Sequence, residues 1–251
     1  MANMATILQQ ARRSLAIARK DIRIYYAKGP VIIFGVLLPI FLFLAFIMGR
    51  HFSADFAIPG LLGMSLFFAA TAISPVVVPW EGQARTLERL VSCPVMIETI
   101  ILGDILASFA FGLGISLVPI ILGFSLGITI SSPFIFAVAI IVAALCFASL
   151  GNVFSIPPTN LPANIMMIAS VVKFPVVFIS GIFIPLNELS AWGQAVAYIS
   201  PLTYFTDIAR YSIQGQAHLP IGIDFVALLA FTVLFLVVAM RMHQNTMPKR
   251  I

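Results

Sequence analysis

The residues able to do chemistry are few, and their spacing excludes most of it. The four lysines are Lys20, Lys28, Lys173 and Lys249, and none follows a glycine. A phosphate-cradling loop of the form G-x-x-x-x-G-K-[ST] is therefore absent, and the chain does not bind ATP by that motif. His51, His218 and His243 stand in separate expected loops without metal-ligand spacing, and H-E-x-x-H does not occur. Ser149 and Ser170 fall in expected membrane spans, but no histidine is expected within any span to serve as their base. Cys93 is expected in a cytoplasmic loop and Cys146 inside a span, so they form no disulfide framework. The expectation is a non-enzyme holding no cofactor and no metal of its own.

Charge marks three other places. Residues 1–28 hold Arg12, Arg13, Arg19, Lys20, Arg23 and Lys28 against one acid, Asp21. That is a basic face; it does not point to nucleic acid. Glu81, Arg85, Glu88 and Arg89 fall within nine residues of one another. Around them, Thr86 is placed to cap a short helix, Leu87, Leu90 and Val91 give it an apolar edge, and Pro94 closes it. A short charged helix suits docking into a groove on a soluble partner; a solvated turn is the other reading. Lys173 stands alone in an apolar stretch, where a central lysine costs roughly 2.5–3.5 kcal/mol on insertion scales. Either it faces a cavity or dimer seam, there to meet an anionic group, or it snorkels from a shifted helix.

The elements that position these residues follow from composition. Of 251 residues, 61% are hydrophobic and 9% charged, against about 45–50% and about 25% in soluble domains. The chain is an integral membrane protein, and disordered, collagenous and disulfide-rich secreted classes are excluded. About 20 apolar residues cross the roughly 30 Å hydrocarbon core. Residues 29–49 and 56–80 are charge-free runs, and 105–172 is a third, divided by turn clusters at 127–133 and 155–162. Six spans result: 30–49, 57–79, 105–125, 134–154, 163–185 and 222–241. Eleven Lys and Arg fall on the side of the N-terminus and two, Arg50 and Arg210, on the other, so both ends are expected in the cytoplasm. Glu98 and Asp104 are expected at that interface. No secretory signal or internal repeat is visible, and residues 1–251 read as one domain.

Two further segments do not cross. In 5–28, Ile7, Leu8, Ala11, Leu15, Ala18, Ile22 and Tyr25 share a helical face flanked by Arg12, Arg19 and Arg23, while Ile17 and Ile24 fall off it. This reads as an amphipathic helix lying in the cytoplasmic interface on anionic lipid, or as a basic flank that fixes topology. Residues 187–215 are too apolar for a plain loop. Short helices at 189–198 and 202–213 either re-enter the outer leaflet, with Pro185, Pro201 and Tyr204 as gate candidates, or form an extracellular cap.

Three motifs in matching order are similar to the ABC type-2 (exporter-type) permease family. They are Glu81-Gly82-Gln83-Ala84-Arg85-Thr86-Leu87-Glu88-Arg89-Leu90 with Pro94, Ser180-Gly181-Ile182-Phe183-Ile184-Pro185-Leu186, and Ser200-Pro201-Leu202-Thr203-Tyr204 with Arg210. The resemblance covers nearly the whole chain and departs from the family at Asp104 and Lys173. It implies an all-α polytopic permease in the plasma membrane, paired with a second copy, identical or not. It also implies a separate ABC ATP-binding subunit, which carries ATP and Mg and is contacted through a coupling helix after span two. Carried over, the coupling residues are Glu81, Arg85, Thr86, Leu87, Glu88, Arg89 and Leu90. The expected function is export of an amphiphilic substrate such as a drug, lipid or glycan. An ion-gradient-driven secondary transporter and a permease-like membrane scaffold are the alternatives.

Overall fold

The computed structural model describes residues 4–26, 29, 33, 37–47, 53–159 and 161–247. Every regular element among them is helical. They are α1 (Met4–Asp21), continued by a π turn over Ile22–Tyr26, α2 (Leu38–Ile47), α3 (Ala54–Ala70), α4 (Ser74–Gln83), α5 (Thr86–Val91) and α6 (Ile97–Ser125). Then follow α7 (Pro133–Phe154), α8 (Pro162–Ile179), α9 (Ala191–Ala197), α10 (Pro201–Gln214) and α11 (Ile221–Thr246). Five stretches of the described residues are long and apolar enough to cross a bilayer: Ala54–Gln83, Ile97–Ser125, Pro133–Phe154, Pro162–Ile179 and Ile221–Thr246. Of the expected first span, 30–49, only α2 and two isolated positions lie within the described residues. Lys28, Arg50, His51, Lys249 and Arg250 lie outside them.

Prolines open α7, α8 and α10, where a missing N–H leaves nothing unbonded. Gly127, Gly181 and Gly215, at φ 81°, 74° and 74°, turn the chain after α6, α8 and α10. The left-handed turn at Gly181 explains why α8 stops at Ile179, six residues short of the expected 185.

Three other boundaries differ from expectation. The second span is interrupted: α3 ends at Ala70 and α4 starts at Ser74, because Pro75 has no N–H to continue the ladder. The third begins at Ile97 instead of 105, taking in Glu98 and Asp104. Charge-free length missed this, since Asp104 is buried against other charged groups and Glu98 accepts a hydrogen bond from Gln244 Nε2. The last runs to Thr246, so His243, expected in a loop, is a buried helical residue. Its ring nitrogens bond Ser155 Oγ and the Ala239 carbonyl, both at 2.8 Å.

The core is a bundle of α3, α6, α7, α10 and α11. Phe67, Phe147 and Phe205, all fully buried, stack edge-to-face from α3 through α7 to α10, with centroids 5.2 and 6.2 Å apart. Small residues set the helix spacing. Gly112 of α6 faces Ala70 and Leu66 of α3, and Gly63 of α3 faces Thr206 of α10. Gly114 faces open space. The short helix α10 is buried along most of its length between α3, α7 and α11.

The N-terminal helix packs on α6 by a face that the apolar stripe did not mark. Its buried face is Ser14, Ile17, Ala18, Asp21, Tyr25 and Tyr26, whereas Leu8 and Leu15 are 58% and 61% exposed. The physical reason is Gly103, which lets Ile17 sit where a side chain of α6 would otherwise stand. A Cβ there would lie 2.6 Å from Ile17 Cγ2. Ala18 and Tyr25 belong to both faces; Ile17, which fell off the stripe, is the anchor.

Candidate functional site

Three sites bring the polar residues together, one at each end of the bundle and one between. At the α1 end, Lys20 binds Glu81 of α4 directly and lies 3.0 Å from Asp21. Asp21 and Asp104 are 0% and 1% exposed and lie side by side, with Lys20 as the nearest cation among the described residues. Burial works against the Lys20 charge, but Asp21 and Glu81 outweigh it and hold the ammonium above the ordinary lysine range. Aromatic contacts close the cluster: Tyr25 stacks on Trp80 at 5.5 Å, and the hydroxyls of Tyr26 and Ser108 hydrogen-bond at 2.5 Å. Burial, then the Glu81 charge, push the Tyr25 phenol up to about 12, so it stays neutral. Ser14 Oγ donates to the Thr99 carbonyl, and Arg13 to that of Pro94. The N-terminal helix is thereby clamped to both flanks of the 81–94 segment.

Within that segment the seven coupling candidates divide by direction. Glu81 and Leu87 point inward. Leu87, 1% exposed, packs in an apolar cluster with Ile17, Val78, Ile100, Ile101 and Ile105. Arg85, Thr86, Glu88 and Arg89 are exposed, and Leu90 is half-buried. Thr86 does not cap α5; it is the first helical residue, and its hydroxyl donates to the Glu81 carbonyl at 3.3 Å. The cap position is Arg85, held at φ 53°, a left-handed conformation uncommon without glycine. A sharp corner separates α4 from α5, so α5 projects its charged side away from the bundle.

The middle site is the break in the second span. In a continuous helix the N–H four residues after Thr71 would bond its carbonyl, and that position is Pro75. Lys173 of α8 supplies the missing donor: Nζ lies 2.5 Å from Thr71 O. A cation at the end of α3 also suits the helix dipole. Lys173 is 8% exposed, so it does not snorkel. It borders a cavity of about 220 Å³ whose other walls include Phe68, Ala72, Met166, Ser170 and Phe174. Ser149 and Ser170, the nucleophiles weighed from sequence, donate to their own helices at Leu145 and Met166.

At the opposite end, Arg210 of α10 is buried. Its Nη2 donates to the Gly181 carbonyl at 2.5 Å, and its guanidinium lies 4.2 Å from the Phe56 ring centroid. Asp207 accepts from the backbone N–H groups of His218 and Leu219 at 2.8–3.0 Å. Of the gate candidates, Pro201 is buried as the first residue of α10. Tyr204 donates to the Tyr198 carbonyl at 2.7 Å, and Pro185 precedes a single 3-10 turn, Leu186–Glu188. Sequence reading put Lys20 and Asp21 in the basic flank, Asp104 at the cytoplasmic interface and Arg210 in a motif on the outer side, but gave none of them a partner. Their signal was a charge beside or within an apolar segment, but apart from the adjacent Lys20–Asp21 pair each partner lies many residues away, beyond any local pattern.

A bundle of long apolar helices with its charges gathered at the ends and one lysine within is that of an integral membrane protein. The chain belongs to the ABC-2 type transporter family, whose profile matches residues 12–213. It is 26% identical over 194 residues to the inner membrane transport permease YadH of Escherichia coli K12, covering 76% of this chain and 75% of that one. The YadH of Shigella flexneri matches equally. The chain is a membrane transport permease.

Proposed function

We propose that this chain is the permease subunit of an ATP-driven exporter, working as a pair of copies on two separate ATP-binding subunits that hold ATP and Mg. It crosses the plasma membrane six times as one domain, with residues 30–49 as the first span, 187–215 re-entering from outside and both termini in the cytoplasm. The observation that carries the reading is α5. Leu87 roots it in the bundle, Arg85 turns it outward, and Glu88 and Arg89 are left exposed for a partner. The ABC-2 type match supports this assignment, and so does the absence of a phosphate-binding loop in the chain.

The cavity beside Lys173 belongs to the translocation path of an amphiphilic substrate, since its walls are apolar except for one cation and Ser170. The ATPase is expected to co-purify with the permease and to turn over faster in its presence. Reversing the exposed charges with E88K/R89E should abolish most of that stimulation without lowering thermal stability, whereas Leu87→Ala should lower stability as well. Normal stimulation in E88K/R89E rejects the docking assignment. Transport by purified permease with no ATPase present would establish the ion-gradient alternative.

A further inference from the structure

Among the described residues, nothing covers the face of α1 turned away from α6. Its groove, of about 800 Å³, is lined by Leu15, Ala16, Arg19, Lys20, Arg23 and Ile24. Lys20 is engaged by Asp21 and Glu81, which leaves two guanidiniums one helical turn apart, and among the described residues neither has an ion-pair partner. Leu15 and Ile24 flank them at 61% and 48% exposure. Paired guanidiniums bind phosphate in fork geometry, and apolar side chains beside them suit the start of an acyl chain.

Depth decides what kind of phosphate. The uncharged part of α6, Ile105–Ser125, is 21 residues or about 31 Å long, which matches the roughly 30 Å hydrocarbon core. Residues 97–104 then lie in the headgroup layer. Ile17 of α1 sits on Gly103, and Tyr26 reaches Ser108. Arg19 and Arg23 fall between those levels, at the boundary of headgroups and acyl chains. We infer that Arg19 and Arg23, with Leu15 and Ile24, form a binding site for the phosphate headgroup of an anionic phospholipid in the adjoining leaflet. The site deepens the membrane-surface placement of α1 and needs no ATPase.

The test uses the permease alone, in nanodiscs of phosphatidylcholine with and without phosphatidylglycerol, followed by native mass spectrometry of retained lipid. Phosphatidylglycerol should be retained in preference to phosphatidylcholine. R19Q/R23Q should weaken that retention roughly tenfold to thirtyfold, as expected for two cations near an anionic surface. R241Q, which removes a charge from α11, should change it by about twofold or less. If the double variant does not fold, R23Q alone should weaken retention by about fivefold. Equal retention by wild type and R19Q/R23Q, or by wild type and R23Q where the double variant is lost, overturns the site. Displacement of the lipid by inorganic phosphate alone would assign it to free phosphate and overturn the lipid reading. Because no ATPase enters the measurement, either result leaves the proposed coupling through α5 to its own test.

Discussion

Lys20 is the residue on which the α1 end balances. Among the described residues it is the one cation in contact with Glu81 and Asp21, with Asp104 buried beside them. Lys20→Met leaves those carboxylates uncompensated and should destabilise the protein by about 2 kcal/mol, the scale of a hydrogen bond to a charged group. The sign of its pH dependence follows from the raised pKa. A base held above its ordinary value contributes fully below that value, and loses the contribution only as pH rises through the raised one. Thermal unfolding in detergent should therefore show a constant gap between wild type and Lys20→Met from about pH 6 to about pH 9, narrowing only in strong alkali. A gap that closes near neutrality would mean that Lys20 is not the charged partner.

Among the elements, the interrupted second span carries the clearest test. Pro75 removes a donor and Lys173 returns one from another helix. Lys173→Met strands the Thr71 carbonyl and should lower stability by about 1–3 kcal/mol. Pro75→Ala restores an N–H four residues after Thr71, so the double variant K173M/P75A should regain most of the loss. Failure of that rescue would assign the cost of Lys173→Met to the cavity instead. Helix existence was legible because a charge-free run of about 20 residues has few other fates in a membrane protein. The break was not, although Pro75 was in plain view: whether a proline bends or ends a span depends on what satisfies the freed carbonyl, and here that group comes 102 residues later.

For the whole molecule, the open question is how firmly α1 belongs to the bundle. Gly103 makes the joint, since any side chain there meets Ile17. Gly103→Ala should destabilise by about 1–3 kcal/mol through overpacking. Hydrogen exchange should then quicken over residues 14–26 while α7 keeps its protection, and Ile17→Ala in the same chain should reverse the effect. Loss of protection throughout would show that α1 is part of the folding core. The amphipathic pattern marked a helix over 5–28, which forms as α1 and its π turn, but gave no sign of the face of Ser14, Ile17 and Asp21 that meets α6. Hydrophobicity cannot tell a face that meets lipid from one that meets protein, and the choice lay with a glycine 86 positions away from Ile17. The place of Asp104 was hidden for the same reason: only the packing of α1 on α6 brings it to Lys20 and Asp21.

The gap between Ala70 and Ser74 has a mechanical consequence. The α3 half is held at Gly63 under Thr206, and the α4 half is pressed on Gly151 by Ser74, whose Oγ stands 2.0 Å from where a Cβ would be. Between those two footholds the chain has no continuous ladder, only a four-methylene strut reaching in from α8. Such a joint lacks the hydrogen bonds that would make α3 and α4 one rigid rod, so the angle between them is set by what α8 supplies at the break.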